Sequence, residues 1–452
     1  MTFSALDSAL TGPLFASDAM RAVFSDRARI AAMLQTETAL ARAEAKAGLV
    51  PAGLARALEG IAPDDLDAAA LGAKTADAGV VAIPFVKAVE ARLPEKLRGW
   101  LHFGATSQDI VDTATALLAR DGLALIDADV AAVLAGLAKL ARAHRRTRMA
   151  GRTYGQHAAP VTFGYVAATW LSGIAEAAGM APAMRAAAAL AVSLGGPVGT
   201  LAALGGQAGA VAGAFAADLG LPPPRPGGHT ARAGTAGLGT WLALLIGALA
   251  KMAADVVFLS STDIGEVAEG YSEGRGGSSS MPHKRNPVSA TVILAAHGVA
   301  PALAASLVSG MAAANQRPAG AWHAEWHALP QLFGLASGAL REARRIAELL
   351  EVDEARMREN LGRTRGLLFS DAAASALAAH LGRTAAERIV QEAAHELADG
   401  GPSLRDALAL DPRVPKSLRK AIDAAFDPAP AIEAAAAMTD RALAAYRQKK
   451  RR

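Results

Sequence analysis

Cysteine is absent from the 452-residue sequence, and aromatic residues make up only 4% of it. The missing thiols exclude disulfide bonds, thiolate metal ligands and a cysteine nucleophile. Hydrophobic residues reach 52%, mainly as alanine and leucine, a composition that favours packed helices over β-sandwiches or barrels. The start of the chain, MTFSALDSAL, lacks the basic segment of a secretory signal, so we expect a cytoplasmic protein.

The net positive charge of the chain comes from one short segment. The formal net charge is +4, and the last six residues carry five positive charges. These are Arg447, Lys449, Lys450, Arg451 and Arg452. Without them the charge is −1, so we expect no surface for nucleic acid and interpret the tail as a frayed, solvated end.

Two apolar runs are candidates for membrane spans. Residues 186–217 carry no charge, but Gly195, Gly196 and Pro197 interrupt them. Residues 236–250 end at Lys251, short of the roughly 20 residues that a transmembrane helix needs. Both runs fit buried helices of a bundle, so we expect no membrane association.

The periodicity of apolar residues predicts an all-α chain. A first helix is predicted to begin after Ser25 and to end at Gly48 and Pro51. Long helices, predicted to form an elongated bundle, cover residues 109–148, 161–194, 235–264, 288–311 and 329–350. We predict three domains: residues 1–108, mostly helical; 109–352, the long bundle; and 353–452, small and helical.

Two polar clusters precede predicted bundle helices. The first is HFGATSQD, residues 102–109, where hydroxyl groups and free helix amides suit a carboxylate or phosphate, although plain N-capping explains the same residues. The second is GRTYGQHAAP, residues 151–160, which brings together a cation, a phenol, an amide and an imidazole. Its pattern fits substrate binding and an ordinary loop equally well.

A third cluster is GRGGSSSMPHKRNP, residues 274–287, between two apolar helices. Its glycines permit the motion of a lid that closes over a substrate. Asn286 and Pro287 are the predicted N-cap and first residue of the following helix. A serine in this loop can act as a base where the cations Lys284 and Arg285 lower its pKa.

Metal and nucleotide sites find little support. HAEWH, residues 323–327, spaces two histidines by one turn, but its glutamate is misplaced for a zinc protease motif and a third ligand is missing. SLGGPVGTLAALGGQAG, residues 193–209, follows no strand and contains no phosphate-binding pattern. We therefore expect neither a metal nor a cofactor.

The three clusters, in this order, resemble the fumarase/aspartase superfamily over nearly the whole chain. Its signature G-S-S-x-M-P-x-K-x-N-P matches residues 277–287. The resemblance implies a homotetramer whose helices form a common core, and active sites that each combine the three clusters from three subunits. It also places Ser278 at the position of the superfamily's catalytic base.

Departures from the pattern indicate which branch of the superfamily is closest. Adenylosuccinate lyases carry histidines where this chain has Ala78 and Tyr154. An aromatic residue after GRT, followed by QHA-P, is similar to the bacterial enzymes that lactonize 3-carboxy-cis,cis-muconate, as are GEVAEG at 265–270 and RPAGAWHAEW at 317–326. This similarity implies an intramolecular lyase of aromatic degradation that acts through an aci-carboxylate. The alternatives are an adenylosuccinate lyase-like or other fumarate-releasing lyase, and an inactive crystallin-like scaffold.

The resemblance implies a role for each polar residue of the clusters, with a small polycarboxylate as substrate. The expected catalytic residues are Ser278, His157 and Lys284, and either Ser278 or His157 moves the proton. The expected substrate-binding residues are His102, Thr106, Ser107, Gln108, Arg152, Tyr154, Gln156, Ser279, Met281 and Asn286.

Overall fold

The computed structural model describes residues 3–181, 190–270, 272–277, 280–281, 283–398 and 400–451. Helices dominate, which confirms the predicted all-α class. In the first half of the chain the elements are α1 (Gly12–Phe15), α2 (Asp18–Val23), α3 (Asp26–Lys46), α4 (Gly53–Glu59), α5 (Ala68–Ala78), α6 (Ala82–Glu90), α7 (Glu95–Arg98), α8 (Ser107–Ala143), β1 (Arg148–Thr153), β2 (Gln156–Thr162), α9 (Phe163–Gly179) and α10 (Ala208–Leu219).

In the described part of the second half, long helices occur together with shorter ones. In order these elements are α11 (Ala233–Leu259), β3 (Val267–Ala268), α12 (Val288–Ser309), α13 (Ala321–Leu349), β4 (Glu351–Val352), α14 (Glu354–Gly362), α15 (Ser370–Leu381), α16 (Arg383–Ala398), α17 (Leu404–Leu410), α18 (Arg419–Ala425) and α19 (Ala429–Arg451). Short 3₁₀ turns occupy Pro63–Asp65, Ala202–Gln207, Leu367–Phe369 and Lys416–Leu418.

Helix ends agree with the sequence where a cap marks them. Ser25 caps α3 by accepting a hydrogen bond from the Ala28 amide at 3.2 Å, and Gly48 leaves α3 with a φ of 75°. Helix ends that no cap residue marks differ from the predicted ones. Helix α8 ends at Ala143 rather than at residue 148, and α13 begins at Ala321 rather than at residue 329, with Pro330 inside it. Part of the helix predicted over 161–194 lies outside the described residues.

The described contacts divide the chain into two units. The first comprises Met1–Ala132, Glu176–Ala250 and Val292–Ala343, and the second comprises Val133–Ala175, Lys251–Thr291 and Arg344–Arg452. The first unit has a core of α3–α6, the start of α8, and α10. The second contains a compact helical cluster between Ala373 and Ile422. The predicted division into three domains stays a prediction.

Two small antiparallel sheets and the chain end complete the second unit. Strands β1 and β2 form a hairpin, and β3 pairs with β4 through Val267 and Val352. The described part of the tail expected to be frayed, up to Arg451, instead belongs to α19. The final helix therefore extends further than the charge pattern indicated.

Helices α11 and α12 are, among the described residues, long and apolar enough to cross a membrane. Only 50% and 33% of their most apolar segments are buried within the chain. Large apolar side chains stay exposed along them, namely Leu244, Val257, Phe258, Val299 and Val308. Apolar surface of this extent is typical of contact with another chain.

Candidate active site

The HFGATSQD segment forms a tight turn that leads into α8. His102 and Gly104 have left-handed backbone angles, with φ of 61° and 66°. Helix α8 begins at Ser107, and the Thr106 amide donates to Asp109 Oδ2 at 3.0 Å, as in a capping box. The predicted position of this cluster at the start of a bundle helix is therefore confirmed.

Asp109 is fully buried and joins the start of α8 to a glycine loop. The amides of Gly195 and Gly196 donate to its carboxylate at 2.9 Å each. His229 Nε2 lies 2.6 Å from its Oδ1, and a Cβ at Gly195 would lie 2.8 Å from the His229 ring. The sequence patterns did not identify His229 as part of this cluster, because His229 and Asp109 are 120 positions apart in the chain.

Arg317 brings a cation to the same helix start. Its guanidinium donates to Gln108 Oε1 and to Thr106 Oγ1, at 3.1 Å in both cases. Gln108 is fully buried, and its Nε2 donates to the His229 carbonyl at 3.0 Å. No sequence signal assigns Arg317 to this cluster, since only the fold brings it to Thr106 and Gln108.

His102 pairs with a carboxylate on α3. Its Nδ1 lies 2.7 Å from Glu37 Oε1. The Glu37 side chain is 1% exposed, and the His102 side chain is 20% exposed. Burial opposes a charge on the ring, but the charge and hydrogen bond of Glu37 outweigh burial, so the pKa of His102 is raised. Glu37 therefore favours the protonated form of the His102 ring.

A second network of buried charges connects α8 with α13. Arg232 donates to Asp112 at 2.7 Å and forms a two-pronged ion pair with Glu325. The Trp322 indole donates to the other Asp112 oxygen at 2.8 Å. Burial raises the pKa of Glu325, and the charge of Arg232 opposes that rise. Glu325 of the HAEWH segment is therefore an ion-pair partner within the first unit.

In the second unit, GRTYGQHAAP forms a β-hairpin rather than the start of a helix. Strand β1 pairs with β2 so that Arg152 faces His157 and Thr153 faces Gln156. Tyr154 and Gly155 form the two-residue turn with φ of 52° and 76°, as a type I′ turn requires. The sequence patterns missed the hairpin, although the helix predicted to follow the cluster from residue 161 does begin, at Phe163. Tyr154 lies fully exposed at the tip of the turn.

A buried carboxylate fixes this hairpin close to its turn. Arg152 donates to both oxygens of Glu266, at 2.9 and 2.6 Å. Asn360 donates to Glu266 Oε1 at 2.8 Å, and Glu266 is fully buried. Glu266 compensates the charge of Arg152. Arg152 therefore anchors the hairpin, and it also lies beside the predicted substrate-binding residues of the same segment. Glu266 belongs to GEVAEG, but no sequence signal identifies it as the partner of Arg152.

His157 lies next to Arg152 on the hairpin. Burial and the positive charge of Arg152 lower its pKa, although Glu266 opposes the effect. The ring is therefore neutral at pH 7. Its Nδ1 is buried and has no hydrogen-bond partner among the described residues, so the ring has the capacity to accept or transfer a proton.

Both ends of the glycine-serine loop are fixed. The Asn286 amide donates to the Gly276 carbonyl at 2.8 Å, and Arg285 forms a two-pronged ion pair with Glu351 at 2.8 and 2.9 Å. The loop then enters α12, which begins at Val288, as in the predicted range 288–311 and one residue after Pro287, the predicted first helical residue.

The start of α12 is capped by a carboxylate rather than by Asn286. Glu269 accepts hydrogen bonds from the amides of Ser289 and Ala290, at 2.9 and 2.8 Å. A negative charge at a helix N-terminus is favourable. Glu269, the second glutamate of GEVAEG, therefore ties that segment to the end of the loop.

The described structure brings the predicted site residues into two groups. In the first unit these are His102, Thr106, Ser107 and Gln108. In the second unit these are Arg152, Tyr154, Gln156, His157, Met281, Lys284 and Asn286. Lys284 is exposed, and its amide donates to the Met281 carbonyl at 3.0 Å. Ser278 and Ser279 lie outside the described residues.

Known proteins are similar to this chain over most of its length. A family model described as "Lyase" matches residues 14–300, and one described as "Adenylosuccinate lyase C-terminus" matches residues 366–442. A 3-carboxy-cis,cis-muconate cycloisomerase of Bradyrhizobium diazoefficiens is 42% identical over 96% of this chain and 98% of its own length. A nitrosuccinate lyase of Streptomyces davaonensis is also 42% identical, over 97% of this chain and 95% of its own.

Solved structures show the same fold. The crystal structure of 3-carboxy-cis,cis-muconate lactonizing enzyme from Pseudomonas putida matches with a TM-score of 0.92 and 39% identity, over 98% of this chain and 99% of that one. The helical fold and its polar clusters thus define a lyase-type enzyme. The chain belongs to the lyase family of the fumarase/aspartase superfamily, as its signature predicted.

Proposed function

We propose that this protein is an intramolecular lyase that interconverts 3-carboxy-cis,cis-muconate and 4-carboxymuconolactone. The observation that carries the proposal is the 42% identity to a cycloisomerase over 96% of the chain. Tyr154 supports it, since an aromatic residue stands at the hairpin tip where adenylosuccinate-type lyases have a histidine. The reaction belongs to the protocatechuate branch of aromatic degradation, in the cytoplasm.

The reaction is an isomerisation, so no atom is gained or lost. A carboxylate oxygen adds to one end of a conjugated alkene, and a proton is delivered to the carbon next to another carboxylate. The intermediate is a doubly charged aci-carboxylate, which fixed cations and hydrogen-bond donors stabilise. Arg317 supplies positive charge at the start of α8, His102 supplies a ring whose protonation Glu37 favours, and Thr106 and Ser107 supply hydroxyl groups.

The proton carrier in this proposal is Ser278, assisted by the cation of Lys284. His157, neutral at pH 7, orients a substrate carboxylate or Tyr154. A general acid or base contributes typically about 10²- to 10⁴-fold to the rate. The elimination in the reverse direction uses the same groups, by microscopic reversibility.

The active enzyme in this proposal is a homotetramer whose sites combine the three clusters from three subunits. Exposed apolar residues on α11 and α12, such as Leu244 and Val299, support burial between subunits. We also keep the three-domain division of the subunit as part of the proposal. Mixing a Ser278→Ala variant with a His157→Asn variant should restore activity in hybrid tetramers; hybrids that form but stay inactive would exclude shared sites.

A spectrophotometric assay tests the activity directly. 3-Carboxy-cis,cis-muconate absorbs in the ultraviolet through its diene, and the lactone lacks that conjugation. We expect purified protein to remove the absorbance and Ser278→Ala to remove it at least about a hundred times more slowly. No turnover by a folded tetramer over a broad range of substrate concentrations would refute the proposal.

A second candidate is a fumarate-releasing lyase, favoured by the 42% identity to a nitrosuccinate lyase over 97% of the chain. The two candidates share a proton transfer next to a carboxylate and differ in the bond that is made or broken. Parallel assays with 3-carboxy-cis,cis-muconate and nitrosuccinate, the second followed by fumarate formation, separate them by kcat/KM. We expect the muconate to be preferred.

A further inference from the structure

Glu37 is a buried carboxylate far from the three clusters in sequence. It lies on α3, is 1% exposed, and is 65 positions from His102, whose Nδ1 is 2.7 Å away. Among the described residues, His102 is its ion-pair partner. A buried ion pair contributes little net stability compared with apolar packing, so stability does not account for a glutamate at this position.

The backbone at His102 is strained. Its φ of 61° lies in the left-handed region, which is unfavourable for residues other than glycine and occurs mainly where surrounding structure enforces it. The turn places the ring between α3 and the start of α8. Nδ1 faces Glu37, and the opposite edge of the ring carries Nε2.

The charges around His102 are negative. Glu37 faces it from α3, and Asp109 acts on it from α8. Asp109 is already bound by the Gly195 and Gly196 amides and by His229. Glu37 is therefore the carboxylate that fixes the ring through Nδ1–H and favours its doubly protonated form, in which Nε2 also carries a proton and can donate.

We propose that Glu37 is a positioning residue for catalysis, which orients His102 so that its Nε2–H donates to a substrate carboxylate near Arg317. The inference rests on the proposed function, because that function places His102 in the substrate site. Glu37 itself touches no substrate. Its effect falls on binding of the charged substrate rather than on the proton transfer.

The test is Glu37→Gln, which keeps the shape of the side chain and removes its charge. We expect the His102 ring to titrate at a lower pH in this variant. NMR with ¹⁵N-labelled histidine follows the titration, and the His102→Asn variant identifies the His102 signal. We also expect the KM for 3-carboxy-cis,cis-muconate at pH 7 to rise about tenfold, as for the loss of about 1.4 kcal/mol of binding, while kcat changes less than twofold. Glu37→Asp, which retains the charge, should recover part of both effects.

Glu44→Gln is the matched control, because Glu44 is on the same helix, is also 1% exposed, and does not contact His102. It should leave the His102 titration and KM unchanged. An unaltered titration or an unaltered KM in Glu37→Gln overturns the inference, and so does an equal effect of Glu44→Gln. Normal kcat/KM in His102→Asn would instead remove His102 from the proposed substrate site. In that case the titration of His102 in Glu37→Gln would still show whether Glu37 and His102 interact.

Discussion

Glu44 makes the stability of this protein depend on pH in an unusual direction. Its side chain is 1% exposed, and its Oε1 has no hydrogen-bond partner among the described residues. Burial, and to a smaller extent the charge of Glu37, raise the pKa of Glu44 from 4.5 to about 8. The folded protein therefore keeps a proton on Glu44 at pH 7 that the unfolded chain releases.

The sign follows from proton linkage. Between about pH 4.5 and pH 8 the folded state binds one more proton than the unfolded state at this residue, so the free energy of unfolding falls as the pH rises. From 4.5 to about 8, at about 1.4 kcal/mol per pH unit, the full loss is about 5 kcal/mol per subunit. This is a large part of the roughly 5–15 kcal/mol that stabilises a typical protein.

Glu44→Gln removes the titration and keeps the size of the side chain. We expect equal stability of the variant and the parent at pH 5, and a variant more stable by several kcal/mol at pH 9. Urea unfolding at both pH values, at one fixed protein concentration, measures the difference. The exposed Glu396→Gln serves as control, and its stability relative to the parent should not depend on pH. A constant difference between Glu44→Gln and the parent from pH 5 to pH 9 would refute the reasoning.

Three further predictions concern the clusters. In steady-state assays, Ser278→Ala should lower kcat at least about a hundredfold, while the control Ser280→Ala should change kcat by no more than a few-fold. A near-normal kcat in Ser278→Ala together with an inactive His157→Asn would mean that His157, and not Ser278, carries the proton. Glu266→Gln leaves Arg152 buried without its counter-charge and should cost about 3–5 kcal/mol in urea unfolding, whereas the exposed Glu359→Gln should cost under about 1 kcal/mol. Tyr154→Asn should raise the free energy of unfolding by about 1 kcal/mol by relieving the left-handed turn, and should lower kcat/KM; unchanged kcat/KM would remove Tyr154 from the site.

Local signals identified much of the fold. The apolar periodicity and the caps placed the long helices, as the Ser25 cap of α3 and the start of α12 within one residue show. These features depend on residues within a few positions of one another. The signature loop likewise fixed the family, because its residues are contiguous.

The hairpin at residues 148–162 was missed for a local reason too. Type I′ turns usually carry Asn or Asp with Gly, and here tyrosine occupies the first position, so the turn has a weak signal. Alanine and arginine before it also fit the end of a helix. Strand pairing between Arg152 and His157 appears only when the chain reverses.

The partners of the site residues were not predictable from sequence. Glu37 and His102 are 65 positions apart, and Arg152 and Glu266 are 114 apart. No local pattern encodes such pairs, because each depends on which helices become neighbours. The sequence therefore identified the polar residues of the clusters, and the structure revealed what holds them.

The ion pair of Arg152 holds the hairpin just below its turn, so the residues that stabilise the hairpin differ from the residue exposed at its tip. Arg152, Glu266 and Asn360 hold the strands, while the turn at Tyr154 and Gly155 projects without burying core residues. Exchange of Tyr154 for residues that tolerate a positive φ, with Gly155 retained, therefore changes the chemistry offered to a substrate at little risk to folding. The hairpin tip is a natural position at which to diversify this scaffold in a library, and a relative with a new substrate could arise by substitutions there alone.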